Sequence, residues 1–396
     1  MKGRITVPVG IERISFYTPR YMLPLRELAT ARGADYDKYR IGIGQEIMAV
    51  APPDEDVVTM AASAAIPMQE DFQAVELVLF ATESSIDQSK SAGLFVHGLL
   101  GLPQRCRVVE LKQACYSATL ALRIALQTVA ANPKAKVLVL ASDIARYELG
   151  SPAEPTQGAG AIAMLVSATP RLVTFDPAAG IHAEDAMDFW RPNYREEAVV
   201  EGKTSTRLYL HALQKTWEHF HEQTGCLLAD FDYCCFHTPF TNMAAKAYQI
   251  LQKIQPPETP KPDENSFAQR VEPSLQYNRI TGNTYSASLY ECLACLLDQA
   301  PNDLTDRRIS FFSYGSGCTA EFFSGTILPG YKQHLCTDQH REVLEERTPL
   351  TVRQYEDVFN LAVPHDGWDY TFGQYRTGPF RFAGVSGHKR IYARNE

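Results

Sequence analysis

The chain has 396 residues, enough for two ordinary domains or one large one, and its composition of 45% hydrophobic and 21% charged residues is typical of a globular protein with a substantial core. The net charge of −8 argues against partners such as nucleic acid or an anionic membrane surface. No continuous apolar run approaches the roughly 18 residues of a membrane span, and the start lacks the long apolar region of a signal peptide. Nine scattered cysteines favour reduced thiols in a cytoplasmic enzyme over a disulfide framework.

The first third of the chain alternates predicted strands and helices. Residues 5–17 read as a strand, 23–39 as a helix and 56–65 as a second helix. The apolar run over 75–81 predicts a buried strand, and Glu83 follows it. Open α/β sheets place their chemistry at the carboxyl ends of strands, although a lone acid there also serves as a helix cap. Glu83 is therefore a candidate functional carboxylate.

Cys115 stands between a predicted strand and a predicted helix. The apolar residues at 118, 121, 122, 125 and 126 have helical spacing, so Cys115 lies at or within a turn of the helix N-terminus. The helix dipole and unpaired N–H groups at that end favour an anion, and this placement lowers the pKa of a thiol. A buried structural cysteine is the alternative, because free cysteines are among the most buried residues.

The middle of the chain adds more strands that end on polar residues. The runs over 136–143 and 158–166 predict two strands, the first ending on an aspartate and the second beginning with closely packed glycines. Residues 188–195 form an aromatic and basic stretch that we expect to be a solvated surface loop. A helix is predicted over 205–223.

His237 ends an apolar strand predicted over 231–236, and Pro239 stops the strand ladder just beyond it. A lone histidine is usually structural, but the end of an apolar strand is also a position that suits a catalytic histidine, and both readings stay open here. A helix over 242–252 and a proline-rich surface loop over 256–262 follow.

Asn283 precedes a predicted helix over 287–297, and a strand over 308–315 then runs into a glycine turn. Cys292 and Cys295 form a lone CxxC pair on that helix. Without a second pair a metal site is improbable, so we interpret both cysteines as core positions.

The order of these features repeats. A strand ending on Glu83 and then Cys115 is matched by a strand ending on His237 and then Asn283. Two similar α/β halves would bring these side chains into a shared crevice. We accordingly predict an N-terminal half over 1–168 and a C-terminal half over 169–396.

From residue 9 to residue 335 the chain resembles the 3-hydroxy-3-methylglutaryl-CoA (HMG-CoA) synthase family in its compact bacterial form. The resemblance rests on short motifs in the right order, at 41–45, 81–84, 110–116, 154–161, 188–192, 236–240, 282–283 and 313–317. It implies a thiolase-like fold, a five-layered αβαβα arrangement of two βαβαβαββ halves that usually forms a homodimer.

The resemblance also implies a reaction. Cys115 would carry an acetyl group from acetyl-CoA, Glu83 would remove a methyl proton, and the carbanion would add to acetoacetyl-CoA held by His237. Backbone N–H groups of Cys115 and near Ser316 would form an oxyanion site, and Asn283 would help to fix His237. The implied substrate-binding residues are Asn283, Ser316, Tyr147, Thr156, Ser205 and Lys246. The implied pathway is mevalonate synthesis with CoA thioesters as substrates and no metal or redox cofactor.

A polyketide β-branching synthase, whose acetoacetyl group rides on an acyl carrier protein, is the main alternative. Asn242 and Ala245 stand where CoA-dependent members often carry lysine, and Cys318 also resembles the polyketide branch. The short loop between Arg146 and Glu154 follows the mevalonate form, which we favour. A thiolase or ketoacyl synthase would use two histidines or a second cysteine. A non-catalytic scaffold would not need to keep all of the polar strand ends.

Overall fold

The computed structural model describes residues 8–257, 266–361 and 366–395. Most of the predicted proline-rich loop, residues 258–262, lies outside these ranges, as do the first residues of the predicted N-terminal strand.

Strands and helices alternate along the N-terminal half. Its strands are β1 (Gly10–Tyr17), β2 (Tyr21–Pro24), β3 (Ile47–Val50), β4 (Val75–Ala81), β5 (Arg107–Leu111), β6 (Lys136–Ala145) and β7 (Gly158–Ser167). Its helices are α1 (Leu25–Ala31), α2 (Val57–Ala65), α3 (Ala92–Leu100) and α4 (Ser117–Ala131).

The C-terminal half has the same alternation and then a tail. Its strands are β8 (Val173–Ala183), β9 (Phe189–Trp190), β10 (Val199–Val200), β11 (Tyr233–Phe236), β12 (Arg308–Gly315) and β13 (Thr319–Ile327). Its helices are α5 (Gly202–Thr224), α6 (Met243–Lys253), α7 (Ser266–Arg270), α8 (Gln276–Thr281) and α9 (Ser288–Gln299). The tail contains α10 (Thr337–Glu345), β14 (Thr348–Pro349), α11 (Val352–Phe359), β15 (Tyr370–Thr371), β16 (Phe380–Ser386) and β17 (Lys389–Arg394).

The predicted repeat is confirmed by the strand order of the main sheet, β11-β12-β13-β8-β1-β7-β6-β4-β5. Outward from its centre, β1-β7-β6-β4 and β8-β13-β12-β11 match strand for strand. In each half two antiparallel strand pairs are followed by one parallel pair, which is β6 with β4 in the N-terminal half and β12 with β11 in the C-terminal half. β5 has no counterpart, because the chain before α9 forms α8 and a turn instead of a strand.

Helices cover both faces of the sheet, which explains the near-continuous apolar strands. Along β6, Val137 and Val139 pack in the core that contains α4, whereas Leu138 and Leu140 pack on the opposite side with α2. Helix α5 covers β8 and β13 on the outer side of the C-terminal half, and α4 and α9 lie between the two halves.

One segment, Ala114–Ala131, is long and apolar enough to cross a membrane by length and composition, contrary to the expectation from the sequence. It consists mainly of α4. Ala118, Ala121, Leu122 and Ala125 on this helix are fully buried in the core between the halves, so core packing accounts for its apolar character.

The predicted helix over 23–39 is only partly confirmed, because it starts too early and is interrupted: a second helical segment, Lys38–Ile43, follows α1 after a turn. Residues 21–24 pair with β3 as strand β2, and α1 ends at Ala31. Gly33 follows with φ of 61°, in the left-handed region that ends helices. By contrast, the helix predicted over 56–65 is confirmed, and its Asp56 side chain accepts the N–H of Val58 and of Thr59 as an N-cap.

The tail returns to the N-terminal half. β14 pairs with β2, and Arg390 donates a hydrogen bond of 2.7 Å to Asp56. The proposed division at residue 168 falls between the end of β7 and the start of β8 and stays a prediction.

Gly180 in β8 provides a test of how closely α5 packs on the sheet. A Cβ at this position would lie 1.8 Å from the Thr216 carbonyl oxygen of α5, so the helix would have to move. We expect Gly180→Ala to lower the free energy of unfolding by about 1–3 kcal/mol, as overpacking does, in urea unfolding.

Gly98→Ala in α3 is the matched control, because a Cβ there has no atom within 4 Å. It should be neutral or stabilising by up to about 1 kcal/mol. Equal unfolding midpoints for Gly180→Ala and the unsubstituted protein would contradict the close packing.

Candidate active site

A strained turn presents Cys115 between β5 and α4. Ala114 has φ of 43°, a left-handed conformation that is uncommon for a residue with a Cβ. The turn after β12 packs directly on it: a Cβ at Gly315 would lie 2.5 Å from the Gln113 carbonyl oxygen and 2.7 Å from the backbone nitrogen of Tyr116. Only glycine permits this approach, so the C-terminal half contacts the cysteine turn backbone to backbone.

Cys115 and Glu83 are brought together as predicted. The Cys115 Sγ donates a hydrogen bond to Glu83 Oε1, with 3.0 Å between these atoms. Glu83 lies two residues beyond β4, and its backbone is fixed by two contacts. Its N–H donates to Asp143 at 2.8 Å, and the Arg191 guanidinium donates to its carbonyl oxygen.

Asp143, at the end of β6, is the buried anchor of this arrangement and was missed as a functional residue. It accepts hydrogen bonds from Thr82 at 2.8 Å and from the Ser286 N–H at 3.0 Å, besides the one from Glu83. Its carboxylate thus joins the two halves beneath the Cys115–Glu83 pair. The available signal was an apolar strand that ends on a charged residue.

His237 follows β11 and is 2% exposed. Its N–H donates to Phe312 at 2.8 Å, which extends the strand ladder, and its carbonyl oxygen accepts from the Tyr209 hydroxyl at 2.7 Å. Among the residues that the structure describes, the ring Nδ1 has no hydrogen-bond partner. The Asn283 Oδ1 accepts the Tyr285 N–H at 2.9 Å, and the role of Asn283 in fixing His237 stays a prediction.

Burial sets the protonation of the three groups. Burial first, and then the charge of Asp143, raise the pKa of Glu83 to about 8. Burial lowers the pKa of His237 to about 3, so the imidazole is neutral. Burial, and next the charge of Glu83, raise the pKa of the Cys115 thiol well above its ordinary value. The expected lowering by the helix N-terminus is therefore wrong, because desolvation and nearby carboxylates outweigh the dipole.

These residues lie on a cavity of about 520 Å³. Of the predicted residues, seven line its wall: Cys115, His237, Asn283, Ser316, Tyr147, Thr156 and Ser205. Glu83 is not one of the lining residues; it lies behind Cys115, to which it is hydrogen-bonded. Lys246 lies outside the wall, exposed on α6, with its Nζ 5.2 Å from the ring centre of Phe240, which does line the cavity.

Two predicted hydroxyls are already engaged within the protein. Ser205 donates to Asp188 at 3.0 Å, and Thr156 donates to the Ala153 carbonyl oxygen at 2.7 Å. Asp188 also accepts the Tyr314 hydroxyl at 2.8 Å, so it ties α5 to β12 at the cavity. These contacts order the wall.

The stretch over 188–195 is more than the solvated loop that we expected. Arg195 lines the cavity, while Arg191 holds the Glu83 backbone. Phe189, in the short strand β9, also lines the cavity and packs against the ring of Tyr285, with 5.7 Å between the ring centres. The motif therefore supplies both a cation and an apolar wall.

Two backbone N–H groups lie on the adjacent turns that hold Cys115 and Ser316, and both residues line the cavity. Within the described ranges, the N–H of Cys115 and the N–H of Ser316 donate to no protein acceptor. The Gln113 side chain donates to the Ser316 carbonyl oxygen at 3.1 Å and so joins the two turns. Unpaired N–H groups of this kind are what an oxyanion site needs.

The C-terminal tail supports the cavity wall, which the sequence did not reveal. The side chain of Gln157 accepts the Tyr147 N–H at 2.8 Å and donates to the Tyr355 hydroxyl of α11 at 2.6 Å. That hydroxyl donates to Glu154 at 3.2 Å, and Arg32 binds the same carboxylate at 2.7 and 2.9 Å. Helix α11 thus fixes the loop that carries Tyr147.

Comparisons with known proteins agree with this geometry. The family profiles for the hydroxymethylglutaryl-coenzyme A synthase N terminal and C terminal regions match residues 6–170, and residues 173–255 and 258–365. The hydroxymethylglutaryl-CoA synthase of Enterococcus faecalis is 42% identical over 360 residues, which cover 90% of this chain and 93% of that protein.

Two further relatives separate the branches. The polyketide biosynthesis 3-hydroxy-3-methylglutaryl-ACP synthase PksG of Bacillus subtilis is 35% identical over 89% of this chain and 88% of its own. A crystal structure of an HMG-CoA synthase complexed with CoA has a TM-score of 0.92 at 39% identity, covering 98% of this chain and 100% of that one. The predicted thiolase-like fold is confirmed by this match.

The raised pKa of Cys115 makes a prediction about its reactivity. Alkylation of Cys115 by iodoacetamide should be slow at neutral pH and rise with pH, because the thiolate forms only above the raised pKa. Above about pH 8, where Glu83 is largely ionised, Glu83→Gln removes a negative charge beside the thiol and should speed alkylation about tenfold, the effect of one pKa unit. Peptide mass spectrometry locates the label. Slower alkylation of Cys115 in Glu83→Gln would contradict the assigned electrostatics.

The Tyr355 hydroxyl should hold the Tyr147 backbone through Gln157. We expect Tyr355→Phe to speed hydrogen exchange of the Tyr147 amide about fivefold, equivalent to roughly 1 kcal/mol for a lost hydrogen bond. Tyr392→Phe, which removes a 2.7 Å hydrogen bond to Asp56 elsewhere, is the control and should leave that amide unchanged. Equal effects of both substitutions would contradict the coupling.

Proposed function

The chain belongs to the hydroxymethylglutaryl-coenzyme A synthase family, and from that premise we propose that it condenses acetyl-CoA with acetoacetyl-CoA to give 3-hydroxy-3-methylglutaryl-CoA and CoA. It is an acyltransferase that forms a carbon–carbon bond and serves the mevalonate pathway. The observation that carries the proposal is the 3.0 Å hydrogen bond between Cys115 Sγ and Glu83 Oε1 beside the cavity that His237 lines.

The first step acetylates Cys115. As the sulfur attacks the acetyl-CoA carbonyl, the thiol proton passes to Glu83 and then to the departing CoA sulfur. A carboxylate with a pKa of about 8 suits this task, because it can both accept and return a proton near neutral pH. The unpaired N–H groups of Cys115 and Ser316 support an oxyanion site for the tetrahedral intermediate, at roughly 3 kcal/mol per donor.

The second step forms the new bond. Once the sulfur is acylated, its hydrogen no longer occupies Glu83, which is free to take a proton from the acetyl methyl group. The resulting carbanion attacks the ketone carbon of acetoacetyl-CoA, and the alkoxide that forms recovers the proton from Glu83. The low pKa of His237 keeps its imidazole neutral, and the ring holds the ketone oxygen by donating its one N–H.

The last step releases the product. Water attacks the Cys115 thioester, the carbon–sulfur bond breaks and the sulfur regains a proton, which leaves the free acid of 3-hydroxy-3-methylglutaryl-CoA. The Cys115 thiol, the Glu83 carboxyl and the attacking water account for every proton transfer in these steps, so we propose that no metal or redox cofactor takes part. Tyr147, Thr156, Ser205, Asn283 and Ser316 are the proposed substrate contacts within the wall.

CoA is the favoured carrier of the acceptor. The Enterococcus faecalis CoA enzyme is more similar to this chain, at 42% identity, than the Bacillus subtilis carrier-protein enzyme, at 35%. Arg195 lines the cavity and Lys246 lies exposed beside it, so both are suited to the phosphates of CoA. A catalytic thiol also favours the reducing cytoplasm as the place of action.

Acceptor preference tests this function. With acetyl-CoA as donor, acetoacetyl-CoA should have a kcat/KM at least about tenfold above that of acetoacetyl carrier protein, or about 1.4 kcal/mol at the transition state. Cys115→Ala, with its folding checked by circular dichroism, should be inactive with both. Preference for the carrier protein would move the enzyme to the polyketide branch, and activity in Cys115→Ala would exclude the cysteine mechanism.

A homodimer is the proposed assembly. β5 is the outermost strand at one edge of the main sheet, and unpaired edges are usually covered. Three apolar side chains near this edge are exposed: Val109 by 44%, Leu94 by 44% and Leu120 by 36%. A second copy of the chain would cover them.

Sedimentation equilibrium tests the dimer. The protein should sediment at twice its 44.2 kDa mass, and Val109→Lys should shift it toward the monomer because a charge cannot be buried unpaired at the edge. Ile391→Lys, at a side chain that is 43% exposed on β17, is the control and should remain dimeric. A monomeric unsubstituted protein would overturn the proposal.

A further inference from the structure

We propose that His182, Glu184 and His211 form a binding site for one divalent transition-metal ion on the outer side of the C-terminal half. Two imidazole nitrogens and one carboxylate oxygen, one from each residue, lie within 4.8 Å of one another. This group lies outside the residues assigned to the reaction, and the inference does not depend on the proposed function.

The sequence and packing fix where these side chains lie. In a strand, residues two apart share a face, so His182 and Glu184 lie on the face of Gly180, towards α5. Glu184 lies one residue beyond the end of β8, and the contact between its side chain and that of His182 shows that the alternation of faces continues to it. At Gly180 the helix approaches so closely that a Cβ would lie 1.8 Å from the Thr216 carbonyl oxygen. His211 projects from that same helix, so the spacing between the strand ligands and the helix ligand is set by backbone packing.

The observed distances suit a metal ion. His182 Nε2 lies 3.3 Å from Glu184 Oε1. Ligands about 2.0–2.2 Å from a tetrahedral Zn²⁺ are separated by roughly 3.4 Å, so this pair is already correctly spaced. The rings of His182 and His211 are 5.7 Å apart between centres and inclined at 81°. A side-chain adjustment of His211 brings its nitrogen to the same ion.

The ligands are also free to bind. In the described part of the chain, His211 has no hydrogen bond, and the hydrogen bond of the His182 ring is to Glu184 itself. The side chains of His182 and Glu184 are 21% and 40% exposed, which leaves room for water to complete the coordination. Two imidazoles and a carboxylate bind Zn²⁺, Co²⁺, Ni²⁺ and Cu²⁺ rather than Mg²⁺ or Ca²⁺.

A bound ion would brace two elements that support the active site. The backbone of Glu184 pairs with Cys318, donating at 3.2 Å and accepting at 2.7 Å, just beyond the turn that holds Ser316. Helix α5 carries Tyr209, whose hydroxyl donates to the His237 carbonyl oxygen. The ion therefore links strand β8 to helix α5 and stabilises the folded state by binding it.

Zn²⁺ titration of the full-length protein tests the site. Isothermal titration calorimetry should detect one Zn²⁺ per chain that is not bound by cysteine thiols, and the ion should raise the melting temperature. Substituting a residue that only hydrogen-bonds to a metal ligand already costs about 10–100-fold in metal affinity. Loss of a ligand itself, in His211→Ala or Glu184→Gln, should therefore weaken binding at least tenfold. His221→Gln, on the same helix but outside the group, should bind as the unsubstituted protein does.

Co²⁺ distinguishes this site from the nine free cysteines. The predicted Co²⁺ complex has visible ligand-field bands without the near-ultraviolet band of cobalt–thiolate bonds, and His211→Ala loses those bands. The activity of His211→Ala without added metal should be unchanged, which shows that the variant is folded. Unaltered Zn²⁺ affinity in both ligand variants, or a thiolate spectrum alone, would overturn the proposal.

Discussion

The structure of the site depends on one hydrogen bond, from the Cys115 thiol to the Glu83 carboxylate, between two half-buried side chains beside the cavity. Burial disfavours the charged form of each group, so both have raised pKa values and neither is a fixed ion. Asp143 beneath them adds a negative charge and also holds the Glu83 backbone. The pair is thereby suited to pass one proton between sulfur, substrate and carboxylate.

The site around this hydrogen bond is closed where two similar halves meet backbone to backbone. At Gly282, with φ of 87°, a Cβ would lie 1.9 Å from the Gln157 carbonyl oxygen, and at Gly158 on the facing strand a Cβ would lie 2.5 Å from the Thr281 carbonyl oxygen. Gly315 makes the corresponding contact beside Cys115. Glycine at these three positions removes the side chains that would separate the halves. The strand ends that carry Glu83 and His237 can then lie beside one cavity, which Cys115 also lines.

Local patterns predicted the parts of the site that depend on local sequence. Apolar strands ending on Glu83 and His237, and helical spacing after Cys115, were sufficient to name the three groups as candidates, whereas their roles followed from the family resemblance. The pKa of Cys115 was beyond such reasoning, because burial and the carboxylates of distant segments set it. The support of Tyr147 by Tyr355 was missed for the same reason, since 208 residues, 355 minus 147, separate partners joined only through Gln157.

The rate at which Cys115 becomes acetylated tests the central claim most directly. Rapid-quench mixing with labelled acetyl-CoA, followed by peptide mass mapping, gives this rate for the unsubstituted protein and for Glu83→Gln. The account predicts label on Cys115 and an acetylation rate about 10²–10⁴-fold lower in Glu83→Gln, the usual contribution of a general base. Label on another residue, or equal rates in the two proteins, would contradict it.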